Sequence, residues 1–293
     1  MLPLPAAEIR RAVRIALDED LAWGDVTTSA LFPTKTPGCA TITAQQDLVV
    51  AGLAAAVQTF LAVDASLIVT PLCKEGDLLT SHQSLMRING DGRSILMAER
   101  VALNFLQHLS GIATLTKKFC DAVKDYPVTI LDTRKTVPGL RALEKWAVTL
   151  GGGQNHRRSL GDGILIKDNH LALLRAKGKG VREACRLAHA RASRDLTIIV
   201  EVESLTDVHQ AVTGKADVIL LDNMTPHMVH QAVAIIKDRA LVEASGGITL
   251  KNVGEMAAAG PDFISIGALT HSAPAATLSL VLEPLLRASR RRR

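Results

Sequence analysis

From residue 128 onward the chain alternates short β-branched runs with helical stretches, and this alternation restricts the fold more than any other feature of the sequence. The runs are VTILDTRK (128–135), GILIKDN (163–169), TIIVEVE (197–203), DVILLDN (217–223), LVEASGG (241–247) and DFISIGA (262–268). Each has the apolar body expected of a strand in a helix-covered parallel sheet. Helical spacing fits between them over 181–190, 225–237 and 249–259. Such alternation implies parallel strands joined by right-handed crossovers. No G-x-G-x-x-G follows a strand, which argues against an open dinucleotide-binding sheet. The pattern therefore predicts a small or incomplete parallel α/β barrel of about six strands.

The polar residues of these runs gather at one end. They close on Arg134 and Lys135, Lys167 and Asp168, Glu201 and Glu203, Asp222 and Asn223, Ser245 with Gly246 and Gly247, and Ser265 with Gly267. Ligands of parallel α/β folds bind at the C-terminal ends of the strands, so these groups describe one polar mouth. GGGQNHR at 151–157 adds His156 and Arg157. Cations at 134, 135, 156, 157 and 167 would repel one another unless a multiply charged anion sat among them, and arginine presents a planar fork to a carboxylate where lysine offers a point charge to phosphate. Asp222 could join Glu201 in holding a divalent cation through oxygen. The alternative for Glu201 and Glu203 is a salt-bridge layer that fills the barrel. The SGG turn at 245–247, leading into a helix, and the loop IGALTHS at 266–272 both suit a phosphate. His227 and His230 have a spacing that would serve a metal or a solvated helix face.

The first part of the chain mixes element types. Helical spacing marks 8–20 and 53–62, β-rich composition marks 39–50 and 66–72, and NGDG at 89–92 signals a turn. A long helical pattern begins at Ser94 and runs toward Val123, with Gly111 inside it. Hydrophobic residues make up 47% of the 293, enough to bury a sizeable core, whereas aromatics at 3% leave little material for stacking nucleic-acid bases. Part of the net charge of +5 is the terminal run Arg290–Arg293, which reads as a solvated end. The four cysteines are far apart and form no C-x-x-C pair, as suits reduced thiols. No apolar stretch has the length of a membrane span, so the expectation is a soluble cytoplasmic protein that binds neither membrane nor nucleic acid.

The stretches EDLAWGDVTT, ERVALNFLQHLSGIATLT, DTRKTVPGLRALEKWAV, GGGQNHR, LIKDNH, VEVE, LLDN, EASGGIT and ISIGALTHSAP, in this order along nearly the whole chain, resemble the quinolinate phosphoribosyltransferases, the carboxylating nicotinate-nucleotide pyrophosphorylases. The resemblance implies a mixed α/β N-terminal domain over 1–111, an incomplete α/β barrel over 112–272, and a segment 273–293 that packs back on the first domain. It implies transfer of a phosphoribosyl group from phosphoribosyl pyrophosphate to quinolinate with decarboxylation, in NAD biosynthesis. It further implies a homodimer or higher oligomer with a shared active site. On that resemblance Arg134, His156 and Arg157 hold the two carboxylates of quinolinate, with Arg100 of the partner subunit. Lys135 and Lys167 lie between the diacid and the phosphates, and Asn169 belongs to the phosphoribosyl site. Glu201 and Asp222 position Mg²⁺ and the ribose hydroxyls. Ser245, Gly246, Gly247, Ser265 and Gly267 grip the 5′-phosphate. The nearest rival reading is a paralogue linked to molybdate transport genes, which shares the fold but should lack the full GGGQNHR and KDNH strings present here; the others are a barrel aldolase with Lys135 or Lys167 as Schiff base and a nucleic-acid binder acting through the arginine tail.

Overall fold

The structure, a computed structural model, describes residues 4–193 and 195–285; the arginine run at 290–293 lies outside the described residues. The chain forms two compact units. One takes in the chain up to Leu115, then Val137–Gly151 and the segment from Ala273; the other comprises Thr116–Thr136 and Gly152–Ser272.

The first unit opens with α1 (Ala6–Asp20), which buries Ile9, Ala12 and Val13 at helical spacing. The next helix, α2 (Val26–Leu31), starts where Asp25 accepts the Thr28 backbone N–H at 2.8 Å. There follow β1 (Pro37–Ala44), β2 (Leu48–Val49), α3 (Leu53–Val63), β3 (Ile68–Pro71), β4 (Leu78–Leu79), β5 (Ser84–Asp91), α4 (Gly92–Ala122) and α5 (Arg141–Leu150). Residues of β1 alternate between buried and partly exposed, as a strand covered on one face should. It pairs antiparallel with β5 and, on its other edge, with the C-terminal strand Leu278–Pro284. Ile42, Leu85, Met86, Ile88, Phe60, Ile95 and Leu106 pack into one core over this sheet.

Two features differ from the sequence reading. Residues 84–91 form a full strand, and NGDG does not turn freely: Asn89 to Asp91 end β5 while Gly92 opens α4. The Asp91 carboxylate accepts from Thr36 N at 3.0 Å and Arg93 N at 3.2 Å, and so makes the junction of strand and helix. Within α4, Gly111 meets the chain near Pro274. A Cβ at residue 111 would stand 2.1 Å from the Pro274 carbonyl oxygen, an overlap that backbone cannot relieve.

The second unit holds β6 (Thr129–Leu131), β7 (Ile164–Ile166), α6 (Asp168–Arg175), α7 (Val181–Arg191), β8 (Ile198–Val202), α8 (Leu205–Thr213), β9 (Val218–Asp222), α9 (Pro226–Ile236), β10 (Leu241–Ser245), α10 (Val253–Ala258), β11 (Phe263–Ser265) and α11 (Ala268–His271). All six strands are parallel, in the order β6-β11-β10-β9-β8-β7. This is the expected incomplete barrel, with β6 and β7 as its edges. Val200, Ile219, Ala244, Ile264 and Ile130 are almost fully buried on the outer face. The inner face is layered by register. Leu165, Ile199, Val218 and Leu220 form an apolar floor. Level with its Leu220, Glu201, Glu243, Phe263 and Thr129 lie in one row, and Asp222, Ser245, Ser265 and Leu131 in the next above. The helix expected over 249–259 is shorter, because the Asn252 side chain accepts from Thr249 N and occupies its first turn. No helix among the described residues is long and apolar enough to cross a membrane.

Gly111→Ala should destabilise the protein by roughly 1–3 kcal/mol through overpacking. Thermal melts check this, and a variant as stable as the wild type would show that the contact near Pro274 is not tight.

Candidate active site

The cationic side of the site is organised by a buried anion. Asp132, fully buried at the tip of β6, accepts from the His156 backbone N–H at 2.8 Å and from Asn155 Nδ2 at 2.7 Å. Beside it, Gln154 N donates to Ile130 O at 2.9 Å and Asp132 N donates to Gln154 O at 3.1 Å. The segment after the three glycines therefore runs along β6 as a short parallel extension. These bonds bring the motif holding Arg134 and Lys135 next to the motif holding His156 and Arg157.

Arg134 and Arg157 consequently feel each other. Burial first, and then the charge of Arg134, pull the Arg157 pKa below its ordinary value, with Asp162 opposing. Arg134 Nε is buried and without a hydrogen-bond partner among the described residues. Two like charges held together, one with an unused buried donor, are arranged for an anion that arrives from outside. The Lys135 main chain is held where Thr270 Oγ1 donates to its carbonyl at 2.7 Å. Its side chain passes over Gly267, where an added methyl would stand 3.0 Å from Lys135 Cδ. Lys135 thus lies against the loop after β11.

The carboxylates stand on neighbouring strands. Lys167 Nζ lies 3.5 Å from Glu201 Oε2. Burial raises the Glu201 pKa, the Lys167 charge opposes the rise, and the charge of Asp222 adds to it. Glu201, Asp222 and Lys167 therefore form one electrostatic group. Glu203 falls beyond the end of β8 and is exposed, outside that group. Asn223 Nδ2 donates to Asp222 Oδ2 at 2.7 Å and fixes the carboxylate. Asn223 has a left-handed backbone (φ 54°) and its N–H donates to Ser245 O at 2.9 Å. This packs it so closely on Gly246 that a Cβ there would meet the Asn223 backbone nitrogen at 2.8 Å. Gly246 and Gly247 both have positive φ, and the space beside Gly247 is open. With α10 beginning only at Val253, these two glycines rather than a helix end follow directly on the tip of β10.

Asn169 is exposed on the first turn of α6, and Arg100 is exposed on α4 in the first unit. Neither His227 nor His230 belongs to a metal-binding cluster, since no group of three or more potential ligands occurs among the described residues. Asp132 and Glu243 were not singled out from sequence, and Asn223 was read only as a strand-end neighbour of Asp222. Asp132 and Asn223 sit inside recognised strand-end motifs, yet only the fold reveals that they orient their neighbours. Glu243 had a visible signal, a charged residue in the middle of an apolar strand.

A parallel barrel sheet with cations, carboxylates and glycine turns gathered at its strand tips defines an α/β-barrel enzyme. The comparisons identify which kind. Residues 25–110 match the quinolinate phosphoribosyl transferase N-terminal domain and residues 112–281 the C-terminal domain of the same family. The chain belongs to the quinolinate phosphoribosyltransferase family. It is 39% identical to the probable nicotinate-nucleotide pyrophosphorylase [carboxylating] of Bacillus subtilis, over 89% of both chains. It is also 39% identical to the chloroplastic nicotinate-nucleotide pyrophosphorylase [carboxylating] of Arabidopsis thaliana, covering 95% of this chain and 84% of that one. A crystal structure of NadC from Streptococcus pyogenes superposes with a TM-score of 0.91 at 38% identity, covering 97% of this chain and 100% of that one.

The raised Glu201 pKa has a definite consequence for stability. The folded state binds the Glu201 proton more tightly than the unfolded state does, so ionising it at neutral pH costs stability, and that cost disappears as pH falls below the ordinary glutamate range. Glu201→Gln should therefore melt higher than the wild type at neutral pH, with the gain shrinking in acid. An equal or lower melting temperature at neutral pH would contradict the assigned desolvation. Asp132→Asn should lose roughly 1–3 kcal/mol, since one buried oxygen becomes a donor facing donors. Denaturant titration checks it.

Proposed function

We propose that this chain transfers the phosphoribosyl group of phosphoribosyl pyrophosphate to quinolinate, releasing pyrophosphate and carbon dioxide and forming nicotinate mononucleotide for NAD synthesis. The observation that carries the reading is the pair Arg134 and Arg157, held together by Asp132 with a buried Arg134 donor unused. Quinolinate has adjacent carboxylates and answers that pair. Arg134 and Arg157 take them, with His156 alongside and Arg100 of the partner subunit completing the grip in a homodimer or higher oligomer. Lys135 and Lys167 separate the diacid from the phosphates. Ser245, Gly246, Gly247, Ser265 and Gly267, with Asn169, take the 5′-phosphate and ribose side of the second substrate.

Glu201 and Asp222 suit a hard divalent cation: a pair of oxygen-donor residues within electrostatic reach, on adjoining strands, leaves most of the coordination to substrate and water, as Mg²⁺ prefers. A Mg²⁺ ion held by Glu201 and Asp222 would supply charge neutralisation for the departing pyrophosphate. The same carboxylates stabilise the cationic character that develops on the ribose carbon as the bond to pyrophosphate breaks. The ring nitrogen of quinolinate donates its lone pair to that carbon. Its positive charge then accepts the electron pair of the breaking ring–carboxylate bond, carbon dioxide leaves, and a proton takes its place. Nothing in this sequence needs a covalent enzyme intermediate. The reading places the enzyme in the cytoplasm.

Incubating the protein with quinolinate, phosphoribosyl pyrophosphate and Mg²⁺ should yield nicotinate mononucleotide by mass, together with carbon dioxide from the quinolinate 2-carboxylate. Absence of both products would refute the function. Arg134→Ala should fold normally and lose about 100-fold or more in kcat/KM for quinolinate, as expected for two charge-assisted hydrogen bonds of roughly 1.5–3 kcal/mol each. Turnover comparable to wild type would remove Arg134 from the site.

A further inference from the structure

The inner face of the barrel holds one carboxylate with no part in the reaction described above. Glu243 lies mid-strand in β10, between Leu220 and Phe263 in register, and is only 1% exposed. Its Oε2 is 3.3 Å from His156 Nε2. Its Oε1 is buried and has no hydrogen-bond partner among the described residues. On the far side of the imidazole, His156 Nδ1 accepts the backbone N–H of Arg157 at 2.8 Å.

These contacts decide where the ring proton is. A nitrogen that accepts a hydrogen bond presents its lone pair, so Nδ1 carries no proton and Nε2 carries one. That proton faces Glu243. A second proton on the ring would set an N–H at Nδ1 against the N–H of Arg157 and break the contact. Both ring nitrogens thus face groups of the protein itself.

We propose that Glu243 is a positioning residue: it holds His156 as the neutral tautomer protonated at Nε2, and His156 in turn holds the Arg157 backbone, so that the two arginines rather than the imidazole carry the charge that meets the diacid. The structural part stands on the geometry alone, while its effect on quinolinate rests on the function proposed above. A carboxylate is the right anchor, because an ionised acceptor orients an imidazole N–H about twice as strongly as a neutral one. The same contact increases the electron density of Nδ1, strengthening its hold on Arg157. The chain of bonds runs from the barrel interior to the cationic loop and uses no residue of the metal or phosphate sites.

The test combines a spectroscopic signature with kinetics on the full chain. Nitrogen-15 histidine correlations, with His156 assigned by its loss in His156→Phe, should show a single proton on Nε2 in the substrate-free wild type at neutral pH. Glu243→Gln, whose amide oxygen still accepts, should keep that tautomer and raise KM for quinolinate only a few-fold. Glu243→Leu should release it to a tautomer mixture and raise KM for quinolinate about tenfold or more, with KM for phosphoribosyl pyrophosphate changed less than about twofold. A doubly protonated His156 in the wild type overturns the proposal. So does a Gln variant with its tautomer lost but quinolinate KM unchanged, a readout that stands even if the Leu variant fails to fold. Absence of transferase activity in the wild type would refute the function, while the nitrogen signature would still judge the role of Glu243.

Discussion

The buried carboxylate of Asp132 accepts from the backbone of His156 and from the Asn155 amide, and through those bonds it keeps the loop with Arg157 against the strand tip with Arg134. Without an anion at that point, two positively charged loops would have reason to separate. The rest of the site is arranged around this constraint. Gln154 extends the edge of β6, His156 braces the Arg157 backbone, and Arg134 keeps a buried donor in reserve. The protein thus uses hydrogen bonds to a buried charge to store repulsion between two exposed to ligand.

The carboxylate side follows the same logic with opposite sign. Glu201 is desolvated on the inner face, with Asp222 on the next strand, and only Lys167 offsets the cost. Asn223 fixes Asp222 through a left-handed residue that requires glycine at position 246. Destabilised charges of both kinds therefore meet at the strand tips, where phosphoribosyl transfer needs an anion clamp beside stabilisation for a developing cation. The apolar floor of Leu165, Ile199, Val218 and Leu220 provides the packing on which that polar layer rests.

Much of this was legible in the residues. The six runs from 128 to 268 all became parallel strands, because β-branched apolar runs alternating with helical spacing have few other solutions. The less legible parts depended on partners remote in sequence. The strand Ser84–Asp91 is recognisable only beside β1, and NGDG ends that strand because Thr36, more than fifty residues earlier, bonds Asp91. The helix after the SGG turn is shorter than its spacing suggested, since Asn252 folds back onto Thr249.

By itself the sequence determined the alternation that makes a parallel barrel, the end of each strand at which chemistry gathers, and the residue types available there. Those properties follow from periodicity and local composition, which survive in one dimension. Only the tertiary structure decided that Asp132 ties the two basic motifs together, that Glu201 shares its field with Asp222 while Glu203 falls outside, and that Glu243 faces His156. Charge, burial and tautomer are properties of neighbours in space, and here the neighbours are twenty to nearly ninety residues apart along the chain.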